Sequence, residues 1–89
     1  MIYKIKFSDI AVKQLEKLDK ISRRRILRYI KETISHLDNP RMLGKLLKGN
    51  LGGLWRYRVG DYRIICKIQD DKFLVCVVQI GHRRSVYER

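Results

Sequence analysis

The spacing of apolar and polar positions changes along the chain, and each change marks an element. Residues 2–7, IYKIKF, are rich in β-formers and alternate loosely, which predicts a short edge strand. Ser8 follows as an N-cap with Asp9 in the first turn, and Ala11, Leu15 and Leu18 recur at the spacing of a short amphipathic helix. A second, longer helix is expected from about Asp19, with Ile26, Ile30, Ile34 and Leu37 on one face and Leu27 beside them. DNP at 38–40 ends it, because proline pushes the preceding residue out of the α region.

Residues 41–53, RMLGKLLKGNLGG, read as a connecting loop. LWRYRV, YRIICKI and KFLVCVVQI then follow, separated by Gly60-Asp61 and Asp70-Asp71, the pattern of an antiparallel meander. The order β-α-α-β-β-β predicts an α+β fold: two N-terminal helices packed on one face of an antiparallel sheet, all in a single domain spanning 1–89. The other face is left toward solvent, where a site can form.

Strand parity says which side chains share that face. A two-residue loop at Gly60-Asp61 pairs Val59 with Tyr62 and Arg58 with Arg63. Trp55, Tyr57, Val59, Tyr62, Ile64, Cys66 and Ile68 then form a core face, and Arg56, Arg58, Arg63, Ile65 and Lys67 the opposite, cationic one. Arginines directly opposite each other repel. Either an anion sits between them, or their long side chains splay into water. The last strand is apolar on both faces and is oriented only by Gln79, expected on the open side with Phe73, Val75 and Val77. Leu74, Cys76, Val78 and Ile80 then face the helices, Cys66 lies opposite Cys76, and Arg83 reaches the cationic face. This parity requires an odd-length turn at Asp70-Asp71 or a bulge.

Composition sharpens the picture of that face. With 21 Lys and Arg against 9 Asp and Glu, the formal net charge of +12 makes nucleic acid the leading partner class, ahead of acidic proteins and anionic membrane surfaces. No apolar run is long enough for a membrane span and the N-terminus lacks a signal-peptide core, so a cytoplasmic protein with no membrane partner is expected. Cys66 and Cys76 with His36 and His82 lack finger-like spacing, so neither metal nor cofactor is expected. The glycine-rich stretch has no Gly-Lys-Ser/Thr and is no Walker loop.

The candidate chemistry gathers on Arg58, Arg63, Arg83, His82 and Tyr87, with Lys48, Arg56, Lys67 and Arg84 adding charge. Arg24, Arg28 and Lys31 form a stripe on the second helix, read either as a solvated face or as a phosphate contact. No carboxylate pair or Ser-His-Asp order is evident, whereas guanidinium groups can hold a phosphate bidentately and stabilise the added charge of a phosphorane. RNA carries its own nucleophile, the 2′-hydroxyl. Tyr87, if cations lower its pKa from about 10, or His82, with a reference value of about 6.5, could serve as the base.

GDYRIICKI, DD and the closing VVQIGHRRSVYER resemble the RelE branch of the RelE/ParE toxin superfamily, over nearly the whole chain. The resemblance implies a type II toxin that enters the ribosomal A site, contacts ribosomal RNA, cuts mRNA without a metal and is held inactive by a cognate antitoxin. It also implies roles: basic strand residues at Arg56 and Arg58, a phosphate-binding arginine at Arg63, a catalytic arginine at Arg83 and a catalytic tyrosine at Tyr87. Arginine stands where well-studied RelE proteins have lysines on the first meander strand, and arginine does not deprotonate, which moves a base role to Tyr87 or His82. The chain stops two residues after Tyr87, so neutralisation is expected from an antitoxin segment on the basic face, the helices or the sheet edge. The runner-up is a ParE-like toxin that binds DNA gyrase and cuts nothing; a non-catalytic RNA binder is the third reading.

Overall fold

Two side-chain caps start the helices. Ser8 is extended, and its Oγ accepts a 3.0 Å bond from the Ala11 N–H, so α1 (Asp9–Glu16) begins at the predicted cap. Asp19 accepts from the Ser22 N–H at 3.0 Å and starts α2 (Lys20–Arg28). That backbone bond holds the Asp19 carboxyl below the ordinary carboxylate range. The coordinates are a computed structural model and describe residues 3–82. After α2 the helical path widens into a π turn at Tyr29–Thr33, tightens at Ile34–His36, and leaves in extended conformation at Leu37, ahead of Pro40. Ile26, Ile30 and Ile34 are buried along its inner face and Leu37 is half-buried.

The described strands are β1 (Lys4–Phe7), β2 (Lys45–Leu46), β3 (Trp55–Val59), β4 (Tyr62–Gln69) and β5 (Leu74–His82), in one sheet of order β1-β5-β4-β3-β2. The helices pack on one face: Ala11, Leu15, Ile26, Ile30 and Ile34 join Tyr57, Ile64, Cys66, Val75, Val77 and Ile80 in one buried cluster. The architecture is the expected α+β layer pair, with one addition. β1 is an edge strand, as predicted, but runs parallel to β5, so the sheet is mixed. Alternation does not encode the direction of a strand joined to its neighbour by a long connection.

The stretch 41–53 is more than a loop. Lys45 and Leu46 pair with Arg56 and Trp55 and form the other sheet edge. They are held there by a brace: Arg41 makes a bidentate pair with Asp70 at 3.0 and 2.7 Å, Tyr3 donates its phenol to the same carboxylate at 2.9 Å, and the Arg41 guanidinium lies 5.6 Å from the Trp55 ring centre. Buried Tyr57 donates to the Pro40 carbonyl at 2.6 Å. A Cβ at Gly44 would stand 3.1 Å from the Tyr57 ring, so the glycine admits that close approach.

The β3–β4 hairpin has the predicted register: Gly60, at φ 59°, turns the chain, Val59 pairs with Tyr62 and Arg58 with Arg63. The β4–β5 pairing corrects the rest. The turn Asp70–Phe73 has an even length and leaves Gln69 opposite Leu74, so Cys66 faces Val77 and Lys67 faces Cys76. A bulge then intervenes, since Ile65 is opposite Gln79 and Val78 is skipped. Above the bulge the expected parity holds, with Gln79 and Gly81 on the face away from the helices and Ile80 in the core. Below it the parity reverses: Val75 and Val77 are in the core, and Leu74 and Cys76 point outward. Cys66 and Cys76 therefore lie on opposite faces, both free thiols, and not across from each other.

A candidate anion-binding face on the sheet

The sheet face away from the helices can be assembled row by row from the register. One row holds Arg58, Arg63 and Gly81; the next holds Lys45, Arg56, Ile65 and Gln79. Past the bulge come Lys67, Cys76 and Lys6, then Gln69, Leu74 and Lys4. No Asp or Glu occurs in any of these strands. Their acidic neighbours sit in turns and helices, Asp70 being occupied by Arg41 and Glu32 lying 3.9 Å from Arg28.

At the centre the cations are poorly satisfied. Arg63 is only 7% exposed, lies directly opposite exposed Arg58 and, among the described residues, makes one long bond, Nη1 to the Tyr62 carbonyl at 3.4 Å. Among the described residues, the Nε atoms of Arg63 and Arg56 are buried with no hydrogen-bond partner. Ile65 beneath them is fully buried, which lowers the local dielectric and strengthens attraction for an anion. Buried donors are normally paired, so two unpartnered guanidinium Nε groups on strands without carboxylates make this face the candidate anion site among the described residues.

The other candidates distribute as follows. Lys67 shares the face but lies beyond the bulge, beside Lys6. Lys48 is exposed in the β2–β3 connection, at the cap of a short turn. Arg24 and Arg28 are on the helix layer, in a groove with Arg25, Tyr29, Glu32 and Val59, and do not join the sheet cluster. His82 pairs with Tyr62 and meets its ring edge-on at 5.9 Å between centres, so strand parity directs it to the helix side and away from Arg63. Arg83, Arg84 and Tyr87 lie outside the described residues. Sequence reasoning missed Lys45, hidden in a two-residue strand, and Lys4 and Lys6. The latter were detectable: their spacing puts both on one face of β1, and only the parallel pairing with β5 was needed to add that face to the site.

The described residues form a mixed sheet backed by two helices, with a cationic outer face whose strands carry no acid and two unpartnered arginine Nε atoms at its centre. Residues 5–87 match the family model described as the ParE toxin of the type II toxin-antitoxin system parDE. The sequence is 28% identical to Toxin RelG of Mycobacterium tuberculosis over 89 residues, covering 100% of both chains. The fold superposes on the toxin-antitoxin complex RelBE2 of M. tuberculosis with a TM-score of 0.86, at 26% identity and 93% coverage of each chain. It also superposes on the archaeal RelE-RelB complex of Pyrococcus horikoshii with a TM-score of 0.72, at 27% identity over 96% of this chain and 99% of that one. The chain belongs to the RelE/ParE superfamily of type II toxin-antitoxin toxins, on its RelE branch.

Proposed function

We propose that this toxin is a ribosome-dependent mRNA endonuclease that works without a metal and is neutralised by a cognate antitoxin in the cytoplasm. The observation that carries the reading is the Arg58/Arg63 pair: two arginines set directly opposite each other across a hairpin, with the buried Nε atoms of Arg63 and Arg56 unpartnered among the described residues. A scissile phosphate placed there would satisfy those donors and relieve the repulsion. Gly81 is directly opposite Arg63, so the backbone that leads into Arg83 and Tyr87 starts at the phosphate site.

In the reaction the RNA 2′-hydroxyl oxygen forms a bond to the adjacent phosphorus in line with the 5′-oxygen, whose P–O bond breaks. A 2′,3′-cyclic phosphate and a 5′-hydroxyl result. Arg63 and Arg58 hold the phosphate, and Arg83 stabilises the phosphorane. Tyr87 is the proposed base for the 2′-hydroxyl proton. The placement of His82 toward Tyr62 favours Tyr87 over it for that role. Lys45, Arg56 and Lys67 extend the phosphate track, while Lys48, Arg84 and the Arg24/Arg28 groove contact ribosomal RNA. The two structures superposed above are toxin-antitoxin complexes, which supports an antitoxin partner here.

The match to the ParE model favours a second reading, a toxin that binds DNA gyrase and cuts nothing. Mapping of mRNA 5′ ends after induction, alongside a gyrase supercoiling assay, separates the two. Codon-phased cuts lost in Arg63→Ala, Arg83→Ala and Tyr87→Phe are expected. Inhibited supercoiling with intact mRNA would sink the nuclease.

A further inference from the structure

β1 ends at Phe7, yet its neighbour β5 runs on to His82, which would leave the β5 edge unpaired from Val78 onward. Side chains continue the missing ladder. Ser8 Oγ donates to the Val78 carbonyl at 2.7 Å, while its own backbone N–H donates to Val77 O at 2.9 Å. Gln14 Oε1, from the middle of α1, accepts from the Ile80 N–H at 2.6 Å. The two contacts straddle the bulge that resets the register. Extended without it, the lower register would place Ile80 opposite Arg63 and Gln79 opposite Ile64, burying the amide and putting an apolar side chain into the cationic row.

We infer that Gln14, with Ser8, is a positioning residue for the anion site: its side-chain carbonyl fixes the bulged end of β5 so that Gly81 stands opposite Arg63. This rests on the proposed nuclease reading and adds to it a residue that touches neither RNA nor the arginines. Gln14 is half-buried on the helix layer, and its hydrogen bond to the opposite layer runs to the Ile80 N–H. Displacement of a reacting group by about 1 Å can cost roughly 10²-fold in rate, and one backbone hydrogen bond at the root of the site is enough to set that displacement.

The test compares Gln14→Leu, which keeps the bulk and removes the acceptor, with Gln14→Glu, which keeps an acceptor oxygen at the same reach. Each is assayed by single-turnover cleavage of mRNA on programmed ribosomes as a function of toxin concentration, with melting temperature and the Ile80 and Gly81 amide resonances recorded in the free protein. The expected result is a saturating rate about 10²-fold lower in Gln14→Leu, a half-saturating concentration within about twofold of wild type, shifted Ile80 and Gly81 amides, and recovery of most of the rate in Gln14→Glu. Wild-type cleavage by Gln14→Leu overturns the inference. So does a loss that follows the melting temperature and falls on rate and half-saturation alike, because that is a stability effect. Arg63→Ala, run in parallel, tells the two failures apart: if it cuts normally, the site reading itself is wrong; if only Arg63→Ala is impaired, the site stands and the clamp falls.

Discussion

Replacing Arg63 by methionine should make the free protein more stable while abolishing its activity. Arg63 is 7% exposed, its Nε is buried without a partner, and Arg58 lies directly opposite. An unsatisfied buried donor costs about 1–3 kcal/mol, and a like-charge pair directly across strands costs a further few tenths to about 1 kcal/mol. Methionine keeps an unbranched apolar stem against Ile65 and removes both penalties. The net gain is expected at about 1–3 kcal/mol. For a domain of this size each kcal/mol raises the melting temperature by roughly 4–8 °C, so the variant should melt about 4–24 °C higher.

The assay is thermal unfolding by circular dichroism at low ionic strength, repeated with sulfate and with sodium chloride of matched ionic strength. Sulfate should stabilise wild type beyond the chloride control, because an anion that binds only the native state adds RT ln(1 + [L]/Kd). Its general salting-out effect acts on both proteins, so the difference between them isolates the site. A variant that melts at or below the wild-type temperature, with no difference in sulfate response, would refute the reasoning. The arginine would then be satisfied in the free protein.

Two further outcomes follow from the same geometry. The Arg41 bonds, and after them the Tyr3 phenol, lower the Asp70 pKa, so its contribution to stability is fully present above the unfolded value of about 3.9 and is lost as pH falls through the lower folded value. The melting-temperature gap between wild type and Asp70→Asn should be constant from neutral pH down to mild acid and close below it; a gap independent of pH would exclude the brace as its source. Burial pushes the Cys66 thiol well above its ordinary pKa, while Cys76 is half-exposed on the other face. Iodoacetamide should therefore label Cys76 in the native protein and Cys66 only after unfolding, and an oxidant should form no intramolecular disulfide; rapid formation of one with native structure retained would contradict the β4–β5 register.

What could be read in the sequence was local. Ser8 and Asp19 cap their helices from adjacent positions, and Gly60-Asp61 fixes the register of the strands it joins, so the Arg58/Arg63 pair needed no tertiary information. The failures have distant causes. Val75, Cys76, Val77 and Val78 are all apolar or nearly so, and nothing in the run says which is skipped. The groups that hold the bulge, Ser8 and Gln14, are 70 and 66 residues away from their partners in sequence. β2 escaped notice because two residues carry no periodicity and its position depends on the Arg41–Asp70 brace, 29 residues apart. Three of the seven cations on the described face were missed, Lys45 with β2 and Lys4 and Lys6 with the parallel pairing of β1 to β5.

The exclusion of acids from every described strand leaves the buried Nε of Arg63 without a carboxylate partner. A carboxylate at any outward strand position would pair with Arg56, Arg58 or Arg63 and stabilise the fold, as Asp70 does for Arg41. It would also occupy the donors that a phosphate needs, and an intramolecular partner at high effective concentration outcompetes a bound one. Among the described residues the acids lie outside the strands, in caps, turns and helices, where Asp19 and Asp70 strengthen the frame without reaching the site. The price is a native state weakened by its own charge, recovered only when an anion or an acidic partner arrives. Stability of the free chain and strength of the site are therefore opposed through the same three arginines, and a substitution that improves one should be expected to cost the other.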